Sequence, residues 1–150
     1  MRQRNDITNQ LSTGPVAVLV QSTSYEGALE SAKIIAGKEK LLIAINYSYA
    51  IKQRLIPAYL NAYLRMKENV MQSNSLSIET MLFIAGSMNI GNAIKKVSAN
   101  KNRFMIFSES KELANRLIKK CGLKEVHRVS LSLDLNIANE VAVTAIKDDK

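Results

Sequence analysis

Residues 76–85, Leu-Ser-Ile-Glu-Thr-Met-Leu-Phe-Ile-Ala, have helical composition but no polar face. Leu76, Thr80 and Phe83 fall on one side of the helix. Ile78, Met81, Leu82 and Ala85 fall on the other. A helix of this kind has to be covered all round, so the rest of the chain must supply at least two layers around it. Ser75 or Ser77 is placed to cap its start, and Glu79 lies near the positive end of its dipole. Gly86 follows as a stop in the left-handed region. Asn89 then caps a second, amphipathic helix with Ile90, Ala93, Ile94 and Val97 on one face and Lys95 and Lys96 on the other. The stretch 75–97 thus reads as a buried helix, a tight polar turn and a basic-ended helix. The backbone amides before Ile90 offer an anion a helix N-terminus.

The elements that can cover such a helix are legible on either side. Residues 16–20, Val-Ala-Val-Leu-Val, follow Gly14-Pro15 and form a short β-branched run of the type buried on both faces of a sheet. Residues 41–45 repeat that pattern, and 103–107 form a third strand. Residues 126–133 alternate as a fourth, half-exposed strand. Between them, Ala28, Leu29, Ala32, Ile35 and Ala36 predict a helix ending at Gly37. A longer helical pattern runs over 50–68 with Pro57 inside it, which predicts a kink or two helices. Ser110 caps a helix carrying Leu113, Ala114, Leu117 and Ile118 and closing at Cys121-Gly122. A last helix is expected over 136–146. The order β-α-β-α-α-α-β-α-β-α predicts an α/β fold: a small mixed sheet of about four strands covered by helices. With 150 residues, 47% of them hydrophobic, and no linker or repeat, residues 1–150 read as one domain.

Charge narrows the partners. The net charge is +8, which favours an anionic partner, nucleic acid first. Residues 95–128 hold ten Lys and Arg against three acids. The only cysteine, Cys121, excludes an intrachain disulfide and fits a reducing cytosol. No apolar run is long enough to span a bilayer and no signal peptide is visible, so the expected location is cytoplasmic, or nuclear as well in a eukaryote.

Chemistry is sparse. The lone histidine, His127, sits in a strand of mixed polarity. Cys121 sits at a helix C-terminus, where the dipole raises a thiol pKa rather than lowering it. One Cys and one His cannot build a Cys/His zinc site. Gly86-Ser87-Met88-Asn89-Ile90-Gly91 has neither phosphate-loop spacing nor dinucleotide spacing. No enzyme, metal or cofactor is expected. An enzyme with an unrecognised site and a protein-interaction module without RNA remain the alternatives.

The residues Leu76-Ser77-Ile78-Glu79, Gly86, Asn89-Ile90 and Ala93-Ile94-Lys95-Lys96-Val97, with the strand at 103–107 and the closing pattern 123–131 followed by the terminal helix, resemble the kinase-binding subunit family of the KEOPS complex of archaea and eukaryotes, with an archaeal member expected. The resemblance implies a non-catalytic accessory subunit of the complex that adds a threonylcarbamoyl group to tRNA. Such a subunit binds an atypical kinase/ATPase subunit, meets the other KEOPS subunits only indirectly, and helps recruit tRNA by its single-stranded CCA 3′ end. Carried onto this chain, the tRNA-binding candidates are Arg65, Lys67, Asn74, Ser75, Gly86, Ser87, Asn89, Lys95, Lys96 and Arg103. The kinase-binding candidates are Leu135, Ile137, Val141 and Ala145. Asn74 and Met88 stand where many members of the family carry arginine.

Overall fold

The computed structural model describes residues 14–49, 52–98 and 102–131. Four strands, β1 (Val16–Gln21), β2 (Leu42–Ile45), β3 (Arg103–Ser108) and β4 (Lys124–Ser130), form one sheet in the order β2-β3-β1-β4. Five α-helices accompany them: α1 (Tyr25–Ala36), α2 (Lys52–Lys67), α3 (Leu76–Ala85), α4 (Ile90–Val97) and α5 (Lys111–Cys121). The α/β class, the strand number and the helical cover are those expected from the sequence. Each of the three strand pairings is antiparallel.

Register decides what each side of the sheet shows. Val18, Ile106 and Ala44 lie abreast on one face, with Val20 beside Phe104. Ala17, Phe107 and Ile43 lie abreast on the other. The first face receives α1, whose Tyr25 ring meets Phe104 edge-on at 5.1 Å and whose hydroxyl donates to the Ala44 carbonyl at 2.6 Å. Helix α5 packs beside α1 on that side. The second face receives α2, where the Tyr59 ring meets Phe107 edge-on at 6.3 Å. Helix α3 packs on α2, and α4 on α3. Three layers result, and the central strands β1 and β3 are apolar on both faces because both are covered. Edge strand β4 is exposed at every residue but Arg128, not half-buried as its alternation predicts: Val126 and Val129 stay 43% and 41% exposed. A register shift opposite Leu19 and Val20 interrupts its pairing with β1.

The apolar helix behaves as its composition requires. Eight of the ten residues of α3 are buried, Glu79 among them. Ser75 is its N-cap, its Oγ accepting the Ile78 N–H at 3.1 Å. Ser77 does other work: its hydroxyl donates to the Lys40 carbonyl and accepts the Leu42 N–H, tying α3 to the start of β2. Gly86 ends the helix at φ +67°, and its N–H and that of Ser87 close on the last-turn carbonyls.

Helix α2 runs unbroken through Pro57 rather than as two helices. The proline forfeits one backbone bond near the start of a 16-residue helix. Buried Leu55, Ile56, Ala58 and Tyr59 hold the chain on its course on either side of it. The terminal helix expected over 136–146 lies outside the described residues, and with it Leu135, Ile137, Val141 and Ala145.

Candidate functional site

Glu79 organises the chain around α3. It is fully buried, at 0% exposure, and every contact it makes is with a donor. Oε1 accepts the Ser73 N–H at 2.9 Å and the Ser73 hydroxyl at 2.8 Å. Oε2 accepts the Gln72 N–H at 3.1 Å and lies 3.3 Å from an Arg65 guanidinium nitrogen. A buried carboxylate is tolerable only when paired and hydrogen-bonded in this way. The effect is to fold the polar segment 72–75 back over the start of α3 and to lock it to the end of α2.

That fold-back makes one wall of a groove. A cavity of about 410 Å³ opens between the segment Ser73, Asn74 and Ser75, the start of α3 (Ser77 and Ile78), the Ile90 and Ile94 side of α4, and the C-terminal end of α1 (Lys33, Gly37 and Lys38). The size lies in the range of about 300–1,000 Å³ usual for small-molecule pockets. Three isoleucines from two helices make its apolar surface, and Lys33 on α1 with Lys38 in the turn after it makes its basic rim. Leu76 donates its N–H to the Lys38 carbonyl, so the rim and the wall are joined by backbone. Lys33 is also 3.4 Å from Glu30 on the same helix, an exposed pair of little strength. An apolar floor with a lysine rim suits an unpaired base with its phosphate: the ring lies against the isoleucines while the charge meets the ammonium groups.

Of the ten residues carried over as tRNA-binding candidates, the groove brings together only two. Asn74 and Ser75 line the groove. Lys67 ends α2, with Nζ 5.3 Å from the Tyr63 ring centroid, and lines a different, larger cavity. Arg65 is turned inward: besides Glu79, its guanidinium lies 4.8 Å over the Phe83 ring and 3.7 Å from the Met88 sulfur. Its charge serves the fold of 72–75. Gly86, Ser87 and Asn89 shape the hairpin between α3 and α4, Ser87 Oγ accepting the Asn89 N–H and Asn89 Oδ1 accepting the Asn92 N–H. Lys95 and Lys96 are exposed on α4, and Lys96 Nζ reaches the Ala85 carbonyl at 3.4 Å. Arg103 is exposed at the first position of β3, opposite Gln21 and five residues along the strand from Ser108.

Lys33, Lys38, Ile78, Ile90 and Ile94 escaped the sequence reading. Ile90 and Ile94 are expected on the core face of α4, yet Ala93 and Val97 take the core while Ile90 stays 40% exposed and Ile94 half-buried. Lys33 on α1 and Lys38 in the turn after it lie some forty residues away in sequence, joined to the motif only by the fold. A signal for the isoleucines was present: an i, i+4 pair of large apolar residues flanking an alanine that already fills the core.

The two reactive side chains lie apart from the groove. His127 is exposed on β4 opposite Leu19, and Cys121 is the half-buried last residue of α5. Among the described residues, no group of three or more His, Cys, Asp or Glu could hold a metal ion, and no helix is long and apolar enough to cross a membrane. No protein-family model matches the chain, and no curated protein matches it.

Proposed function

We propose that this chain is a non-catalytic accessory subunit of the KEOPS tRNA-modification complex, which binds the atypical kinase/ATPase subunit and helps to recruit tRNA by its CCA 3′ end. One observation carries the RNA half of this reading. The Leu76-Ser77-Ile78-Glu79 stretch that resembles the family's motif is also the stretch around which the groove is built. Glu79 holds segment 72–75 in place, Ile78 joins the floor, and Ser77 fixes α3 against β2. The motif then has a physical purpose, which is to shape a wall for a single-stranded end.

In this reading the groove holds the unpaired terminal bases, and Lys33 and Lys38 meet their phosphates. The outward lysines Lys95 and Lys96 contribute sequence-independent attraction to the rest of the RNA. Arg65 contributes by stiffening the wall rather than by touching RNA. The kinase face is proposed at Leu135, Ile137, Val141 and Ala145, as an amphipathic helix laid into a groove of the partner.

Two binding experiments test the proposal. The chain mixed with the purified kinase-like subunit of its source should form a stable complex by size-exclusion chromatography. Lys95→Glu with Lys96→Glu should leave that complex intact while lowering tRNA affinity. If the double charge reversal leaves tRNA binding unchanged and kinase binding intact, the protein-interaction module without RNA becomes the better description. If no complex with the kinase-like subunit forms at all, the accessory-subunit reading fails.

A further inference from the structure

A second cavity, of about 690 Å³, lies beside the groove and is separated from it by the loop 37–40: Gly37 and Lys38 line the groove, while Glu39 and Lys40 line the cavity. Its other walls are the Tyr59, Tyr63, Met66 and Lys67 side of α2 and the junction of β3 with α5, Glu109 to Glu112. Three features of it bear on what it could hold.

Tyr59 is 2% exposed and lines the cavity, yet its hydroxyl makes no hydrogen bond with any described residue. The hydroxyl oxygen is not sealed off: it keeps a little solvent-accessible surface, through which a bound molecule can take its hydrogen bond. Burial raises the phenol pKa above its ordinary 10.0, so the hydroxyl stays protonated and available as a donor. Glu109, whose charge acts on Tyr59, accepts the Leu41 N–H at 2.7 Å through Oε1, and its second oxygen takes no hydrogen bond from a described residue. Lastly, Lys40, Lys67 and Lys111 line the same space as Glu39, Glu109 and Glu112, and none of the six is within 4.0 Å of an opposite charge among them.

We propose that this cavity binds one unpaired nucleotide. Its base edge is read by the Tyr59 hydroxyl as donor and the free Glu109 oxygen as acceptor, its ring rests against Tyr63, and its single phosphate meets the rim lysines. The donor and the acceptor line the same cavity, and a ring nitrogen with the adjacent exocyclic amine of cytosine or adenine presents the complementary pair. Tyrosine faces take any base. The three carboxylates offset the three lysines, so the cavity as a whole does not attract a run of phosphates. The nucleotide has two sources, a free mononucleotide or one base of a single strand. The assignment stands independently of the tRNA reading, because a mononucleotide alone tests it.

The experiment is an amide-resolved NMR titration of the whole chain with cytidine 5′-monophosphate, ribose 5-phosphate and the trinucleotide CCA. Binding of the monophosphate, with shifts at Tyr63 and Glu109 to Glu112 and at least tenfold weaker binding of ribose 5-phosphate, is the expected result. It should be weakened at least tenfold in Tyr59→Phe and in Glu109→Gln. Since the Tyr59 hydroxyl makes no hydrogen bond with a described residue, Tyr59→Phe should keep the wild-type spectrum and melting temperature, which separates lost binding from lost folding. If only CCA shifts these residues, and does so through Tyr59 and Glu109, the source is a strand; if the monophosphate suffices, it is a free nucleotide. Equal binding of ribose 5-phosphate and the monophosphate, indifference to both variants, or no shift with any of the three probes overturns the proposal. Lys38→Ala, on the groove side of the loop, should leave the monophosphate titration unchanged, so failure of the groove reading and failure of this one are distinguishable.

Discussion

Replacing Glu79 with alanine would leave four donors without their acceptor: the amides of Gln72 and Ser73, the Ser73 hydroxyl and the Arg65 guanidinium. Removing one partner of a buried, hydrogen-bonded charge pair costs about 3–5 kcal/mol. Two facts place this case at the lower end. The Arg65 side chain keeps 24% of its surface in water, and Gln72 is exposed, so both regain solvent once the carboxylate is gone. The expected loss is therefore about 3 kcal/mol. Glu79→Gln is the sharper variant, because it keeps shape and volume. One amide oxygen can still accept from one pair of donors, but its NH2 group confronts the other pair, donor against donor. A loss of about 2 kcal/mol follows from two unsatisfied or displaced contacts at about 1 kcal/mol each.

Urea unfolding followed by far-ultraviolet circular dichroism reads both variants. The midpoint should fall while the slope m stays that of the wild type, the mark of lost stability rather than a changed unfolded state. In the folded variants, amide shifts should concentrate at 72–78 and at Arg65, and leave β1 and β3 untouched. A loss under 1 kcal/mol for Glu79→Ala, or a Glu79→Gln variant as stable as wild type, would refute the claim that this carboxylate holds the groove wall.

Other consequences follow from particular atoms. Gly86 sits at φ +67° with open space where a Cβ would be, so Gly86→Ala should cost about 1 kcal/mol through backbone strain alone, read as a lowered urea midpoint. Burial raises the Glu109 pKa above its ordinary 4.5. The native state therefore favours its protonated form, and its contribution to stability is complete below pH 4.5 and is lost as pH rises through the raised native value. Glu109→Gln should flatten that part of the stability–pH curve, and an unchanged curve would contradict the assignment. Lys33→Ala with Lys38→Ala should reduce the slope of log K for tRNA against log salt by about 1.4, two phosphate contacts at about 0.7 each for a single strand; an unchanged slope would remove both lysines from the interface.

The framework of the fold is legible in the sequence wherever one residue type has only one role to play. The runs 16–20, 41–45 and 103–107 are too apolar for anything but buried strands, and Gly37, Gly86 and Gly122 end helices at positive φ as glycines do. The capping serines and Asn89 are likewise local signals: Ser75, Asn89 and Ser110 each accept from the amide three residues on. Pro57 misleads because its cost is local and small, while burial on both sides of it is long-range. The site is less legible for the same reason. Its motif is local, but its rim comes from α1, and only the antiparallel sheet brings Lys33 and Lys38 beside Ile90. Arg65 shows the converse case. Read as a basic residue near the turn, it suggests RNA; placed in the structure, its guanidinium is held by Glu79, Phe83 and Met88.

The most direct test of the central claim is a paired affinity measurement of this chain for one tRNA, intact and with its CCA end removed, at a single salt concentration and again in the Lys33→Ala, Lys38→Ala variant. The account predicts that trimming weakens wild-type binding at least tenfold and that the double variant loses most of this discrimination. Equal affinity for the intact and trimmed tRNA would contradict it.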